Sequence, residues 1–253
     1  MTASAQASFA AAAREDARAA LVTAVSGPHA GERLLVRADG GQVGTLGDAA
    51  LDAEAVAHAN ELLWAERSEL RGELFIDVTA PAPRLLIFGA VEYANHLAHL
   101  ARVAGWRPYV IDPRGRFATR ERFPDALEIL VSWPAPALEQ LGGIDRATYV
   151  AVLSNDTKID DEVLTLALSA EPAYIGAMGS THAQLERRER LVAAGVEETE
   201  LKRISAPVGL DLGALSAAET ALSIMAELIA VRYGRGGERL SQRSRASSNQ
   251  VVH

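Results

Sequence analysis

The residues of this chain with the greatest potential for chemistry follow predicted strands, at the points where those strands end. Carboxyl ends of parallel strands meet at one edge of a sheet, and ligands of open α/β folds bind at that edge. The candidate cofactor-binding residues found in this way are Gly89, Ala90, Val91, Asp112, Arg114, Arg120, Ser154, Asn155, Asp156, Gly176, Gly179 and Ser180.

Residues 84–112 have the pattern strand, tight turn, helix and strand, which is typical of a dinucleotide-binding fold. In the fingerprint G-x-G-x-x-G, the first glycine makes the turn, the second lets backbone N–H groups approach a pyrophosphate, and the third lets helix pack on strand. Those positions hold Gly89, Val91 and Ala94. The β-branched Val91 puts a side chain where phosphate oxygens would sit, so the pattern predicts the fold but not the usual phosphate contact.

Asp112 and the arginines after it are candidates for ribose and phosphate binding. Asp112 ends the second strand of this unit, where an acid can bind ribose hydroxyls, although Asp-Pro also starts ordinary turns. The loop that follows contains four arginines, whose forked guanidinium groups match phosphate geometry. They are Arg114, Arg116, Arg120 and Arg122. Both a phosphate site and a solvated surface loop remain open for this segment.

Ser154, Asn155 and Asp156 follow another apolar strand. Asp156 together with Asp160 and Asp161 offers oxygen ligands for Mg²⁺. The favoured interpretation is that Asp156 caps a helix, with the other two acids stabilising the helix dipole.

The segment 176–180 repeats this arrangement, because a strand runs into a glycine-rich turn and Ser180 or Thr181 caps the next helix. Exposed N–H groups at such a helix start attract an anion, so this turn is predicted to contact a phosphate or a pterin-like ligand. His96 and His99 lie one turn apart on a predicted helix, but no third ligand is near in sequence. No metal site is therefore predicted.

Composition narrows the function classes. The 253 residues are 49% hydrophobic with a formal net charge of −8, which argues against nucleic-acid and anionic-membrane surfaces as partners. No apolar run is long enough to span a bilayer, and the alanine-rich N-terminus lacks the features of a secretory signal. We therefore expect a cytoplasmic protein. The absence of cysteine excludes disulfides, thiolate catalysis and Cys-ligated metal.

The pattern of the chain predicts an α/β fold with two domains. Residues 1–82 form a smaller N-terminal α+β domain that contains a leading helix, a strand at 21–25, a hairpin at 31–46, a helix at 49–68 and a strand at 73–78. Pro81 and Pro83 mark the boundary.

Residues 83–233 form a C-terminal Rossmann-like domain with a mostly parallel sheet. Its predicted strands are 84–88, 108–111, 127–131, 148–153 and 173–176, and its predicted helices are 92–105, 136–142, 159–170, 181–194 and 216–233. Ser216 and Glu219 form a capping box for the last helix. Residues 234–253 are rich in Gly, Ser and Arg and are expected to be a disordered tail.

These segments together resemble the XdhC/CoxI family, the maturation factors of xanthine dehydrogenase and related molybdenum hydroxylases. The resemblance runs from about Leu21 to Tyr233. It is carried by the Gly89 turn, GPHAGERLLVRADGGQVGTLG (27–47), VIDPRGRFATRERFPDA (110–126), SND (154–156), AYIGAMGS (173–180) and PVGLDLGALSAAETALSIMAELIA (207–230). The last block adds Asp211 to the candidate site.

The resemblance implies a chaperone that binds molybdenum cofactor (molybdopterin), protects it during sulfuration and delivers it to the apo-enzyme. The implied partners are the molybdenum hydroxylase apo-enzyme and a sulfurtransferase. No turnover of its own is implied, and a homodimer is expected.

Three positions depart from the family pattern. Ala50 stands where the family has a cysteine, so a thiolate ligand for molybdenum or sulfur is excluded. The family's Gly-x-Gly-His turn is here Gly89-Ala90-Val91-Glu92, and its Thr-His-Asp is Ser154-Asn155-Asp156. Ligand-facing positions have changed while the scaffold blocks remain, which identifies the chain as a divergent member.

Two other hypotheses stay open. The first is an NAD(P)-dependent oxidoreductase acting on a small metabolite, with Asp112 on the ribose, although Val91 and the lack of a visible proton donor argue against it. The second is a non-catalytic regulatory partner that has lost ligand binding and works as a dimer through the hairpin domain.

Overall fold

The protein is described by a computed structural model in which residues 4–242 are placed. The described residues form two compact units that divide between Pro81 and Ala82. None of the helices in the described part of the chain is both long and apolar enough to cross a membrane.

The first unit is an antiparallel five-stranded sheet with two helices. Its elements are α1 (Ala5–Arg14), β1 (Ala19–Ala24), β2 (Arg33–Arg37), β3 (Gln42–Thr45), α2 (Ala49–Ala65), β4 (Glu69–Arg71) and β5 (Leu74–Thr79). The strand order is β3-β2-β1-β5-β4. The predicted hairpin is present as the antiparallel pair β2 and β3. A buried ion pair joins the residue before β1 to the end of α2. The Arg18 guanidinium donates to the Leu63 carbonyl at 2.5 Å and to Glu66 at 2.6 Å.

The second unit alternates strands and helices around a parallel sheet. Its elements are β6 (Arg84–Phe88), α3 (Glu92–Val103), β7 (Arg107–Ile111), β8 (Glu128–Leu130), α4 (Pro134–Gln140), β9 (Thr148–Val152), α5 (Thr157–Leu168), β10 (Tyr174–Ala177), α6 (Thr181–Ala193), α7 (Glu198–Leu201), β11 (Ile204–Ser205) and α8 (Ala217–Arg232), followed by a 3₁₀ turn (Leu240–Gln242). The six-stranded sheet has the order β11-β10-β9-β6-β7-β8. The chain therefore leaves the central strand β6 in one direction and returns beside it as β9, which makes a topological switch point between these strands.

The α/β fold class and the Rossmann-like sheet predicted from the sequence are confirmed. The long elements were predicted because burial imposes a strong apolar pattern, as in β9, where every residue is buried. The capping box is also present, since Ser216 accepts from the Glu219 N–H and Glu219 accepts from the Ser216 N–H.

The sequence analysis missed β4, α7 and β11, which have two to four residues each and are too short for a periodic pattern. Of the expected tail 234–253, residues 234–242 follow α8 and include the 3₁₀ turn, and the remainder lies outside the described residues. The disorder of the tail and the domain limits 1–82 and 83–233 remain predictions.

Gly89 lies at the switch point and brings two turns together. Its φ of 111° belongs to the region that favours glycine, and a Cβ built on it would lie 2.6 Å from the Ser154 backbone nitrogen. The turns after β6 and β9 approach this closely only because residue 89 has no side chain.

We expect Gly89→Ala to lower the free energy of unfolding by about 2 to 4 kcal/mol, because the variant adds both backbone strain and a clash with Ser154. The control is Gly105→Ala, which has a φ of +78° but open space around its Cβ. It is expected to cost only about 1 kcal/mol. Urea denaturation of both variants measures the difference, and equal losses would show that the clash at Ser154 is not felt.

Candidate functional site

The candidate site lies at the carboxyl edge of the parallel sheet, around the switch point. Ala90 donates its backbone N–H to Asp112 Oδ2 at 2.8 Å, which ties the turn after β6 to the end of β7. Gly89 packs against Ser154 in the turn after β9. The fold thus brings together Gly89, Ala90, Asp112, Arg114 and Ser154, which the sequence places up to about 65 positions apart.

The carboxylate of Asp112 is fully buried and saturated with hydrogen bonds. Oδ1 accepts from the Arg114 backbone N–H and from Arg114 Nε, both at 2.9 Å. Oδ2 accepts from Arg114 Nη2 at 2.7 Å and from the Ala90 N–H. A ribose hydroxyl could reach this carboxylate only by displacing Arg114, so the predicted ribose contact is blocked in this conformation.

The charge of Asp112 is stabilised by these donors. Burial is the largest single influence and would raise its pKa. The Arg114 side chain, together with the N–H groups of Ala90 and Arg114, outweighs burial, so the pKa of Asp112 lies below its usual range. The carboxylate is therefore ionised at neutral pH and holds the guanidinium in one orientation.

Arg114 is the one arginine of its loop that contacts Asp112. Its side chain is 37% exposed, and its guanidinium lies 5.2 Å from the centre of the Phe117 ring. The hydrogen bonds that Arg114 donates to Asp112 raise the pKa of Arg114, and the nearby charge of Asp156 acts in the same direction. Arg114 therefore lies between the ends of β7 and β9 with part of its guanidinium open to solvent.

The other arginines of the loop contact backbone carbonyls or an aromatic ring within the same loop. Arg120 Nη1 donates to the Ala126 carbonyl at 2.5 Å, and Arg122 Nη1 donates to the Phe117 carbonyl at 2.9 Å. The Arg116 guanidinium lies 4.5 Å from the Phe117 ring centre. The predicted ligand contact of Arg120 remains a prediction, and its guanidinium contacts carbonyls of its own loop.

A buried ion pair braces the turns after β9 and β10. Ser154 Oγ donates to Asp160 Oδ1 at 2.5 Å, and Arg187 Nη2 donates to Asp160 Oδ2 at 3.2 Å and to the Met178 carbonyl at 2.7 Å. Burial raises the pKa of Asp160, against the opposing effects of Ser154 and Arg187. Sequence reasoning missed Arg187, because nothing distinguishes it from the other arginines in the same helix.

The predicted cap residues occupy the starts of the two helices at this edge. Asp156 accepts from the Lys158 N–H at 3.0 Å, and Ser180 accepts from the Ala183 N–H at 3.3 Å. Gln184 Nε2 donates to the Gly179 carbonyl at 3.1 Å and steadies the turn before α6. The cap interpretation of Asp156 is confirmed, and Asn155 beside it is exposed.

Gly176 is buried within β10, where a side chain would collide with Tyr174 and Val208. Packing is therefore sufficient to explain this glycine. Its predicted contact with a ligand is untested.

Asp211 lies exposed in the loop after β11, and a buried cluster anchors that loop. Glu227 Oε2 accepts from the Tyr174 hydroxyl at 2.5 Å and from the Gly209 N–H at 2.6 Å. Burial and the hydrogen bond to Glu227 raise the pKa of Tyr174, so the phenol stays protonated and acts as a donor. α8 thereby fixes the position of the loop that bears Asp211.

No group of three or more His, Asp or Glu side chains within residues 4–242 could hold a metal ion. Asp160 and Asp161 contact arginines instead, since Arg190 Nε donates to Asp161 at 2.7 Å.

The depressed pKa of Asp112 predicts a pH-dependent stability. Its contribution is fully present above the unfolded pKa of about 3.9 and is lost as the pH falls through the lower folded value. We therefore expect Asp112→Asn to be less stable than the native protein by about 2 kcal/mol at pH 7. The difference should shrink as the pH falls below about 4, as measured by urea denaturation.

Asp125→Asn is the control, because Asp125 pairs with His99 at a partly exposed position. A difference for Asp112→Asn that stayed constant from neutral pH to pH 3 would contradict the assignment.

Comparisons with known proteins agree with this architecture. The profile of the XdhC Rossmann domain matches residues 85–228, and that of the XdhC and CoxI family matches residues 10–72. A crystal structure described as a xanthine dehydrogenase from Bacillus halodurans superposes with a TM-score of 0.63 at 26% identity, covering 88% of this chain and 65% of that chain.

Curated relatives point the same way. The Escherichia coli molybdenum cofactor insertion chaperone PaoD is 32% identical over 60% of this chain and 41% of its own length. A Bacillus subtilis protein named as a probable xanthine dehydrogenase subunit is 30% identical over 63% of this chain and 46% of its own length. The uncharacterized Escherichia coli protein YqeB is 26% identical over 90% of this chain and 45% of its own length. This chain spans less than half the length of each of these relatives. Because the two family profiles match residues 10–72 and 85–228, the chain belongs to the XdhC and CoxI family.

Proposed function

We propose that this protein is a maturation factor that binds molybdenum cofactor as cargo and delivers it to the apo-form of a xanthine dehydrogenase-type molybdenum hydroxylase. The names of two relatives, one a cofactor insertion chaperone and the other a probable part of xanthine dehydrogenase, support this role. A sulfurtransferase that acts on the bound cofactor is the second proposed partner. Binding of the cofactor and its delivery to the apo-enzyme would take place in the cytoplasm.

One observation about the site carries the proposal, namely that Arg114 occupies the hydrogen-bonding positions of Asp112. A dinucleotide site of this fold needs that acid for ribose and a glycine-lined turn for pyrophosphate. Here the acid is saturated, and Val91 replaces the second glycine. These observations support a ligand at this edge that needs neither contact.

The phosphate of a pterin cofactor meets that description. Arg114 uses Nε and Nη2 on Asp112, which leaves guanidinium N–H groups for a second anion, and its side chain is 37% exposed. The start of α6 at Ser180 offers backbone N–H groups on the same edge of the sheet. Arg114 and the turn 179–180 are therefore the proposed phosphate contacts.

The remaining proposed contacts are the other candidate residues of the sequence analysis. They are Gly89, Ala90, Val91, Arg120, Ser154, Asn155, Asp156, Gly176 and Asp211, with Asp112 acting through Arg114. The chain has no cysteine, so the cargo would be held through its pterin and phosphate and not by a thiolate on molybdenum.

The alternatives lead to different binding behaviour. An NAD(P)-dependent oxidoreductase requires Arg114 to leave Asp112 when the ribose binds. A regulatory partner without a ligand requires no binding at this edge at all. Ligand-dependent thermal stability separates the three cases, because a ligand that binds only the folded state raises its stability.

We expect molybdopterin or molybdenum cofactor to raise the melting temperature, with a stabilisation of about 2.7 kcal/mol at a hundred times the dissociation constant. NAD(H) and NADP(H) should produce no shift in the native protein or in Val91→Gly, because Asp112 stays blocked in both. A shift with a nicotinamide cofactor would favour the oxidoreductase. The absence of any shift would favour the regulatory partner.

We expect Arg114→Ala to weaken molybdopterin binding at least about tenfold, since a charge-assisted hydrogen bond contributes about 1.5 to 3 kcal/mol. Arg114→Lys keeps the charge near Asp112 but loses the fork, and should have an intermediate affinity. Isothermal titration calorimetry measures the affinities.

The matched control is Arg146→Ala, which removes an exposed arginine paired with Glu171 ahead of β9, at the opposite edge of the sheet. It should bind molybdopterin like the native protein. Unchanged affinity in folded Arg114→Ala would remove Arg114 from the proposed site.

A further inference from the structure

Two large apolar side chains are exposed directly after β8. Val131 is 56% exposed and Trp133 is 46% exposed, whereas Leu130 at the end of the strand is buried. The apolar residues in the turns after two neighbouring strands are buried, namely Ala90 after β6 and Leu153 after β9. A tryptophan is on average one of the most buried side chains. The exposed pair Val131 and Trp133 therefore leaves apolar surface at this edge that a ligand can cover.

The exposed pair lies beside Arg114. The Asp112 N–H donates to the Leu130 carbonyl at 3.1 Å, so the chain after β8 begins at the same level of the sheet as the arginine loop. A Cβ built on Gly115, the residue after Arg114, would lie 3.2 Å from Val131 Cγ1. Trp133 is two residues further along, which places its Cα within about 7 Å of that of Val131. An aromatic side chain and a guanidinium thus belong to the same short stretch of the carboxyl edge.

Gly115 keeps the surface between them open. Its backbone does not have the positive φ that favours glycine, so a larger residue would be free of backbone strain. The only atom within 4 Å of a Cβ built on it is Val131 Cγ1. A side chain at position 115 would therefore cover Val131, and the glycine leaves that apolar surface accessible next to Arg114.

The backbone of Trp133 is held in place before any ligand binds. Trp133 precedes α4 with φ −67° and ψ 158°, and the buried Pro134 is the first residue of the helix. A residue before proline is restricted to such extended conformations. The Ala135 N–H donates to Glu162 Oε1 at 3.0 Å, which ties the start of α4 to α5. A ligand that packs on Trp133 would consequently lose little free energy in ordering the backbone.

The indole of Trp133 has no specific contact of its own. Within residues 4–242 it makes no hydrogen bond, ring contact or guanidinium contact. The other two tryptophans do make such contacts. Trp106 lies 4.6 Å from the Tyr149 ring centre and 5.6 Å from the Arg232 guanidinium, and Trp64 lies 4.9 Å from that of Arg18. The ring of Trp133 is therefore available to stack on a flat heterocycle.

We propose that Trp133 is a specificity-determining residue of the candidate site and stacks on the pterin ring of the cofactor, while Arg114 holds the cofactor's phosphate. This inference rests on the proposed function and adds a contact to it. The guanidinium selects an anionic group, and the exposed pair Val131 and Trp133 selects a flat ring attached to that group. The sequence analysis did not select Trp133, because a single aromatic residue after a strand forms no motif.

Isothermal titration calorimetry with molybdopterin tests the contact. Trp133→Ala should weaken binding about tenfold, which is within the range for losing one aromatic stacking contact. Trp133→Phe keeps a smaller ring and should have an affinity between those of the native protein and Trp133→Ala. The melting temperature of each variant shows whether it is folded.

The matched control is Tyr233→Ala, which removes another aromatic ring that is 51% exposed. Tyr233 follows α8 next to Arg232, and Arg232 lies over Trp106, just before β7 at the opposite edge of the sheet. Tyr233→Ala should bind molybdopterin like the native protein.

Iodide quenching of tryptophan fluorescence provides a readout that does not depend on the folding of Trp133→Ala. Trp133 is exposed, whereas Trp106 is buried and Trp64 is half-buried, so iodide should mainly quench Trp133. Saturation with molybdopterin should protect the native protein from iodide. Trp133→Phe should be quenched little by iodide, with or without the cofactor.

The two proposals fail in different ways. A native protein that does not bind molybdopterin would overturn the proposed function, and the stacking contact with it. Binding of molybdopterin with native affinity by folded Trp133→Ala would overturn the stacking contact alone, and so would unchanged iodide quenching in the saturated native protein. In both of these cases the proposed function would stand.

Discussion

The candidate site depends on one interaction, the pairing of the buried Asp112 carboxylate with Arg114 and the Ala90 N–H. A buried carboxylate is costly unless donors surround it, and here four N–H groups do so. The pairing fixes the turn after β6 to the end of β7 and holds the guanidinium beside the switch point. It also occupies the carboxylate that would bind ribose in a dinucleotide fold. One interaction therefore supports the local structure and narrows the choice of ligand.

A second buried pair performs the same structural task on the other half of the sheet. Asp160 and Arg187 join the turns after β9 and β10 through Ser154 and the Met178 carbonyl. Removing either partner would leave the other charge buried and uncompensated, which is far more costly than the pair itself. The four turns that surround the candidate site are thus held by two ion pairs and by the contact of Gly89 with Ser154.

The sequence predicted most of the scaffold because the scaffold follows local rules. The alternation of apolar strands and amphipathic helices, the hairpin at 31–46, and the capping box of Ser216 and Glu219 all depend on near neighbours in the chain. The roles of the polar residues were predicted less well. Asp160 was expected to stabilise a helix dipole, yet it pairs with Arg187, which lies 27 positions away in sequence and has no distinguishing sequence signal.

The sequence by itself determined the fold class, the order of the longer elements, the absence of thiolate chemistry and the loss of the glycine at Val91, since each of these is a property of residue type or of short-range pattern. Only the tertiary structure decided what Asp112 and Arg114 do. Whether an acid at a strand end faces a ligand or an arginine two residues later depends on burial and on the backbone of a neighbouring turn. Those conditions arise when β6, β7 and β9 come together, and they are absent from the linear pattern.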